Sequence, residues 1–85
     1  IFQKKKSFSN NKIKEISGIN SLKNLKKLSI AHNEIRDIPK LSSCALLKEL
    51  RLNDNKITRL PNHFPENGQL ELLDLGNNLI REWQD

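Results

Sequence analysis

Few side chains in this chain are of a type that does covalent or metal chemistry. Cys44 is the single cysteine, and His32 and His63 stand far apart, in neither a HExxH nor a related spacing. A zinc or nucleophile site needs two or more such groups turned onto one face. With no second cysteine and no histidine pattern beside it, Cys44 reads as a buried thiol. The sequence has no glycine-rich phosphate loop and no GxSxG element. Glu49 and Asp74 are carboxylates on a shared open surface, which ordinary surface patterning explains. No catalytic residue, metal ligand, cofactor or small-molecule substrate is expected. The polar side chain that recurs at fixed intervals is an asparagine, as Asn11, Asn33, Asn55 and Asn78, spaced 22, 22 and 23 apart. Its amide joins a carbonyl acceptor to an N–H donor, the equipment for pairing with backbone groups.

Around each asparagine the apolar residues keep one rhythm. The slots hold Leu25, Leu28, Ile30, Asn33, Ile35 and Ile38, then Leu47, Leu50, Leu52, Asn55, Ile57 and Leu60, then Leu70, Leu73, Leu75, Asn78, Ile80 and Trp83. A weaker copy precedes them as Phe8, Asn11, Ile13 and Ile16, with Gln3 and Lys6 where apolar residues stand later. About four repeats result, over residues 3–24, 25–46, 47–69 and 70–85.

Leu28 and Ile30 are two apart, as on one face of a strand, so Ser29 between them faces the other way. Each copy supplies one short strand that buries a face but leaves open edges, and the next copy pairs with it at about 4.8 Å. Stacking predicts an α/β solenoid: a curved parallel β-sheet on the concave side, with helical, 3₁₀ or extended connections on the convex side. The turn after each strand buries backbone donors and acceptors, and Asn11, Asn33, Asn55 and Asn78 form a ladder that satisfies them. In the connections, Ile16, Ile19, Leu22 and Leu25 keep a three-residue step, continued by Ile38, Leu41 and Cys44, which fits a helical or 3₁₀ turn. Pro39 and Pro61 follow the last apolar slot and favour extended chain there. Asn67 and Gly68 mark a turn before the last strand.

This pattern resembles the leucine-rich repeat, LxxLxLxxNxL, over nearly the whole chain. The repeat lengths are similar to those of the short intracellular subclass, found in type-1 phosphatase regulators, dynein light chains and a spliceosomal protein. Residues 61–69, PNHFPENGQ, are one residue longer and richer in proline. They resemble the typical or plant-intermediate connection, with Phe64 as apolar anchor. The resemblance implies a rigid interaction scaffold, often a regulatory subunit. Contact residues vary among members of the family, so only the structural motif residues carry over.

With the leucines inward, the outward strand positions form the working face. Its candidate partner contacts are Lys5, Lys26, Lys27, Ser29, His32, Glu49, Arg51, Asn53, Glu71, Leu72 and Asp74. A single exposed lysine or leucine needs no explanation. Register gives these residues meaning: Lys4, Lys26 and Lys48 stack at sheet spacing, where like charges repel unless a partner relieves them. Leu72 adds apolar area to a polar face, and Ala31 and Gly76 are small enough to leave shallow ground. Trp83 fills a slot where leucine is usual and reads as closing the end of the core.

The net charge of +5 is unevenly spread: residues 1–42 hold ten basic and three acidic side chains, residues 43–85 five and seven. The face therefore runs from basic to mixed or acidic, which fits a protein partner laid across it in one orientation. The alternative is a basic surface contributing to RNA binding within a complex. Exposed aromatics for base stacking are scarce, with Phe2 the one candidate near the basic residues. A third reading makes the chain an internal structural segment of a longer solenoid; it begins without methionine and stops within a repeat. A lone cysteine favours a reducing intracellular compartment, cytoplasmic or nuclear. No apolar run approaches the roughly 20 residues of a membrane span.

Overall fold

The computed structural model describes residues 5–14, 18–19, 22–38, 40–60, 64 and 68–83, leaving out the side chains of Lys6, Glu82 and Trp83. Lys4, Pro39, Pro61, His63 and Asn67 lie outside the described residues, as does the Trp83 side chain.

One strand comes from each copy: β1 (Lys5–Ser7), β2 (Lys27–Ser29), β3 (Glu49–Arg51) and, after a short β4 (Arg59–Leu60), β5 (Leu72–Asp74). These four pair in the order β1-β2-β3-β5, all parallel. Three residues per strand suffice because side chains alternate. The central residue turns inward while its neighbours turn out, so Leu28 and Leu50 are buried while Lys27 and Arg51 are exposed. Register carries the repeat across the sheet: Lys6, Leu28, Leu50 and Leu73 form the central row.

Behind the sheet lies one contiguous core. Leu25, Leu28, Ile30, Ile35, Leu47, Leu50, Leu52 and Ile57 fill it from the repeat slots, and Ile19, Leu41 and Cys44 from the connections. Phe64 packs against it, as its anchor role requires. The end copies are less covered, since each has a neighbour on one side. Leu73, which occupies the same slot as the fully buried Leu50, is 38% exposed.

Among the described residues the connections contain no α-helix. The three-residue step appears as turns closed by bonds from residue i to i−3: Leu22 N to Ile19 O (2.9 Å) and Leu25 N to Leu22 O (3.2 Å), then Cys44 N to Leu41 O (3.0 Å) and Leu47 N to Cys44 O (3.1 Å). A strict step of three matches the 3₁₀ repeat, whereas an α-helix needs 3.6. Here the helical half of the expected α/β class is carried by turns. Burial raises the Cys44 thiol pKa, and its Sγ lies 3.5 Å from Ile19 O. A small second parallel sheet, β4 with β6 (Glu82–Trp83), pairs Leu60 with Trp83. The repeat spacing alone predicts no strand at these last slots. Leu79 N to Ile57 O and Arg81 N to Thr58 O continue the pairing down the return path.

Asn33, Asn55 and Asn78 each bind their own copy and the one before. Asn55 Nδ2 donates to Leu52 O (3.1 Å) and Asn53 O (3.3 Å) at its own turn and to Ile30 O (2.9 Å) of the preceding copy. Its Oδ1 accepts from Ile35 N at 3.0 Å. Asn33 does the same with Ile30 O, Ala31 O, Phe8 O and Ile13 N, and Asn78 with Leu75 O, Gly76 O, Leu52 O and Ile57 N. Asn11, in the first copy, donates to Phe8 O and Ser9 O of its own turn.

Truncation in the middle of this stack has a calculable effect. Leu50→Ala is expected to destabilise the fold by about 2 to 5 kcal/mol through the cavity it leaves. Asn55→Ala should cost about 1 to 3 kcal/mol because buried backbone groups lose their partners. Lys56→Ala, at an exposed position next in sequence, should leave the denaturant midpoint nearly unchanged. Equal midpoints for the Asn55 and Lys56 variants would contradict the ladder account.

Candidate functional site

Strand register assembles two outward columns. One runs Lys5, Lys27, Glu49, Leu72 and the other Ser7, Ser29, Arg51, Asp74, from β1 to β5. The chain enters the strands through a third row, in which Lys48 N donates to Lys26 O and Glu71 N to Lys48 O, both at 2.8 Å. Lys26, Lys48 and Glu71 are exposed. Two ion pairs cross between strands, Lys27 Nζ to Glu49 Oε1 at 3.9 Å and Arg51 Nη1 to Asp74 Oδ2 at 4.0 Å. Both are long and half-exposed, so solvent screening leaves each of them weak. Between β1, β2 and β3 the face sinks into a depression of about 240 Å³ lined by Lys5, Ser7, Lys27, Ser29, Glu49 and Arg51, with Leu28 beneath. Ser29 Oγ is bonded to Ser9 Oγ at 2.9 Å, and Ser7 Oγ donates to Ser9 Oγ at 3.4 Å.

A second row lies at the strand ends, one residue before each ladder asparagine. Asn10, His32, Asp54 and Asn77 all have left-handed backbone, with φ of 62, 56, 60 and 54°. The residue types there carry a signal of that conformation. Asparagine, aspartate and histidine are those non-glycine residues that enter this region most readily. Asp54 is the hub of this row: Asn53 Nδ2 donates to its Oδ2 (2.8 Å), Asn77 Nδ2 to its Oδ1 (3.0 Å), and His32 Nε2 lies 3.7 Å from Oδ2. The Asn53 hydrogen bond is the main influence lowering the Asp54 carboxyl pKa. Partial desolvation opposes it, and Asn77 and the His32 charge add to it.

The candidate contacts thus divide. Lys5, Lys27, Ser29, Glu49 and Arg51 surround one depression, and Leu72 and Asp74 continue its columns on β5. Lys26 and Glu71 flank these columns in the strand-entry row. His32 belongs to the turn row, where its left-handed backbone suits its residue type, and Asn53, one residue before that row, donates to Asp54 in it. Leu72, expected to be exposed, is half-buried. Ala31, expected to leave shallow ground, is 6% exposed, in a copy flanked by a neighbouring copy on each side. Gly76 does leave room, but a Cβ there would come 3.2 Å from Asp74 Oδ1, which also accepts from Gly76 N at 3.0 Å. Among the described residues no group of three or more His, Cys, Asp and Glu could hold a metal ion, and no helix is long and apolar enough to cross a membrane.

The repeat slots, the parallel sheet and the asparagine bonds define a repeat solenoid, and comparison with known families identifies which one. The family model described as Leucine Rich repeats (2 copies) matches residues 7–43, and that described as Leucine Rich Repeat matches residues 46–67. Together they span more than half of the sequence, and the chain belongs to the leucine-rich repeat proteins. A comparison with curated proteins gave no match.

The turn row yields two expectations. His32→Gly should be tolerated, whereas His32→Val, forced into left-handed backbone, should lower stability by about 1 to 3 kcal/mol in equilibrium unfolding. For Asp54 the pH dependence has a definite sign. Its folded pKa is depressed, so the stabilisation is present above the unfolded value and is lost as pH falls through the folded one. Asp54→Asn keeps a residue suited to the backbone. The stability advantage of the native chain over this variant should therefore shrink as pH falls below about 4, measured by denaturant midpoints at successive pH values. A constant difference across that window would contradict it.

Proposed function

We propose that this chain is a non-catalytic protein-interaction scaffold whose partner lies across the outward face of the sheet, taken as the concave side of the solenoid. Leucine-rich repeats in general mediate protein–protein interaction, which supports the class. The observation that supports the face is the in-register change of chemistry from Lys5 and Lys27 through Glu49 and Arg51 to Leu72 and Asp74. Short rigid strands hold these side chains in fixed order, so a partner's acidic residues face Lys5, Lys26 and Lys27 while its basic or apolar ones face Glu71, Leu72 and Asp74. The reverse orientation sets like charges together. A reducing intracellular setting, with the partner a complex to be regulated, suits a lone buried thiol. The exposed Leu73 and Leu79 at the β5 edge favour a second reading, in which a further repeat covers that edge and the chain is an inner segment of a longer stack.

Peptides selected on the chain from a random displayed library provide the test. Lys26→Glu with Lys27→Glu should slow association about tenfold, and the effect should fade toward 1 M salt, where the screening length is about 3 Å. Leu72→Ala should chiefly hasten dissociation. Charge reversal at the exposed Lys40, in a connection, is the control. Binding that ignores the substitutions at Lys26, Lys27 and Leu72 would place the interface elsewhere.

A further inference from the structure

The depression between β1, β2 and β3 has a charge that ordinary solvated patterning does not require. Three cations line it, Lys5, Lys27 and Arg51, against one lining carboxylate, Glu49, a net +2 for the lining itself, with Asp74 reaching Arg51 from the adjacent β5. Among the described residues Lys5 has no carboxylate within ion-pair distance, and the pairs that Lys27 and Arg51 make, at 3.9 and 4.0 Å, are loose. Ser7 and Ser29 add hydroxyl donors to the lining. A carboxylate would neutralise half of this charge, whereas a phosphate monoester, at about −1.5 to −2 near pH 7, matches it and has three acceptor oxygens to spread over ammonium, guanidinium and hydroxyl donors.

The surroundings decide what carries that phosphate. A nucleic acid brings a charge at every nucleotide, and beyond the depression it would run onto Asp74 and Glu71. The depression's lining also offers no aromatic ring for a base to stack on. A peptide brings one localised anion and leaves the rest of its length to match other chemistry. From β2 to β5 is two strand spacings, about 10 Å, or roughly three residues of extended chain.

We propose that this depression receives one phosphorylated serine or threonine of an extended peptide, with a basic or apolar residue three positions away against Asp74 and Leu72. Arg51 is the principal ligand, because its planar fork offers two parallel donors to one phosphate where a lysine offers a point charge. Lys5 and Lys27 complete the cage, and Glu49 and Asp74 give up their loose contacts with Lys27 and Arg51 when the phosphate arrives. The inference rests on the outward face being the partner surface and adds to it the class of partner.

Fluorescence anisotropy of the full chain with labelled alanine-based peptides tests it. One peptide carries a phosphoserine with a lysine three residues away, and its comparators carry serine or glutamate at that position. The phosphopeptide should bind at least tenfold more tightly than either. Arg51→Ala should remove that advantage and Arg51→Lys only part of it, with Lys40→Glu neutral; Arg51 is exposed, and an unchanged thermal midpoint verifies that the fold persists. Lys27→Ala gives a second, independent loss. Equal binding of the three peptides, or an Arg51→Ala variant that keeps the full advantage, would overturn the proposal. So would a single-stranded oligouridine that binds more tightly than the phosphopeptide and is weakened by the same substitution. If library-selected unphosphorylated peptides still respond to Lys26→Glu with Lys27→Glu while the phosphopeptide gains nothing, the phosphate site falls and the outward-face reading stands.

Discussion

Between neighbouring copies the chain turns away from the sheet, and backbone groups at that turn are closed off from water. Asn33 pairs four of them at once: Phe8 O, Ile30 O and Ala31 O as acceptors and Ile13 N as donor. A side chain with only donors or only acceptors would leave part of this set unpaired, at a cost of about 1 to 3 kcal/mol. Aspartate would present oxygens to three carbonyls. Glutamine would carry the right groups one methylene too far out. The spacing of the whole solenoid follows, because the amide reaches both its own turn and the preceding one only when each copy brings its asparagine to the same height. Among the described buried side-chain nitrogens and oxygens none lacks a hydrogen-bond partner.

From this constraint the rest of the architecture follows in order. A fixed turn fixes where the strand before it ends, so Leu28, Leu50 and Leu73 fall into one row, and the outward residues on either side fall into columns. The left-handed residue before each asparagine redirects the chain, which accounts for Asn10, His32, Asp54 and Asn77 in the same place. That slot has its own cross-copy contacts through Asp54, so it ties copies together on the outside as the amides do on the inside. Each copy contacts only its neighbours, and stability is therefore close to a sum over adjacent pairs. Leu73, with a paired strand on one side, is more exposed than Leu50 between two.

How much of this could be read from the residues depended on whether one side chain or several had to be placed. Strand positions, inward rows and outward columns follow from a period of two inside a period of 22, and the structure has them as the spacing requires. The asparagine bonds were legible because an amide in an apolar rhythm has few other uses. The left-handed row is visible only as residue types, since each of Asn10, His32, Asp54 and Asn77 is ordinary on a surface when taken alone. β4 and β6 are two residues each, too short for alternation to announce. The depression was not legible at all: its volume arises from three strands lying side by side, and no linear spacing encodes the gap between Lys5, Ser29 and Arg51. The burial of Ala31 is likewise a property of the assembled copies rather than of its residue type.

Separating inward from outward slots lets the two halves of the sequence's task vary independently. Leu50 is held by packing, Asn55 by the turn and Asp54 by its backbone, but nothing in the fold requires lysine at 27 or arginine at 51, since a short strand accepts any side chain on its solvent face. The unequal charge of the two halves of the chain is therefore free information, displayed in order because the strands are in order. Long, half-exposed pairs such as Lys27 with Glu49 and Arg51 with Asp74 add little to stability. What they do is hold cations and carboxylates apart at sheet spacing, in an arrangement that a partner can outcompete. A surface whose charges were satisfied by short, buried pairs would be more stable and less able to exchange them.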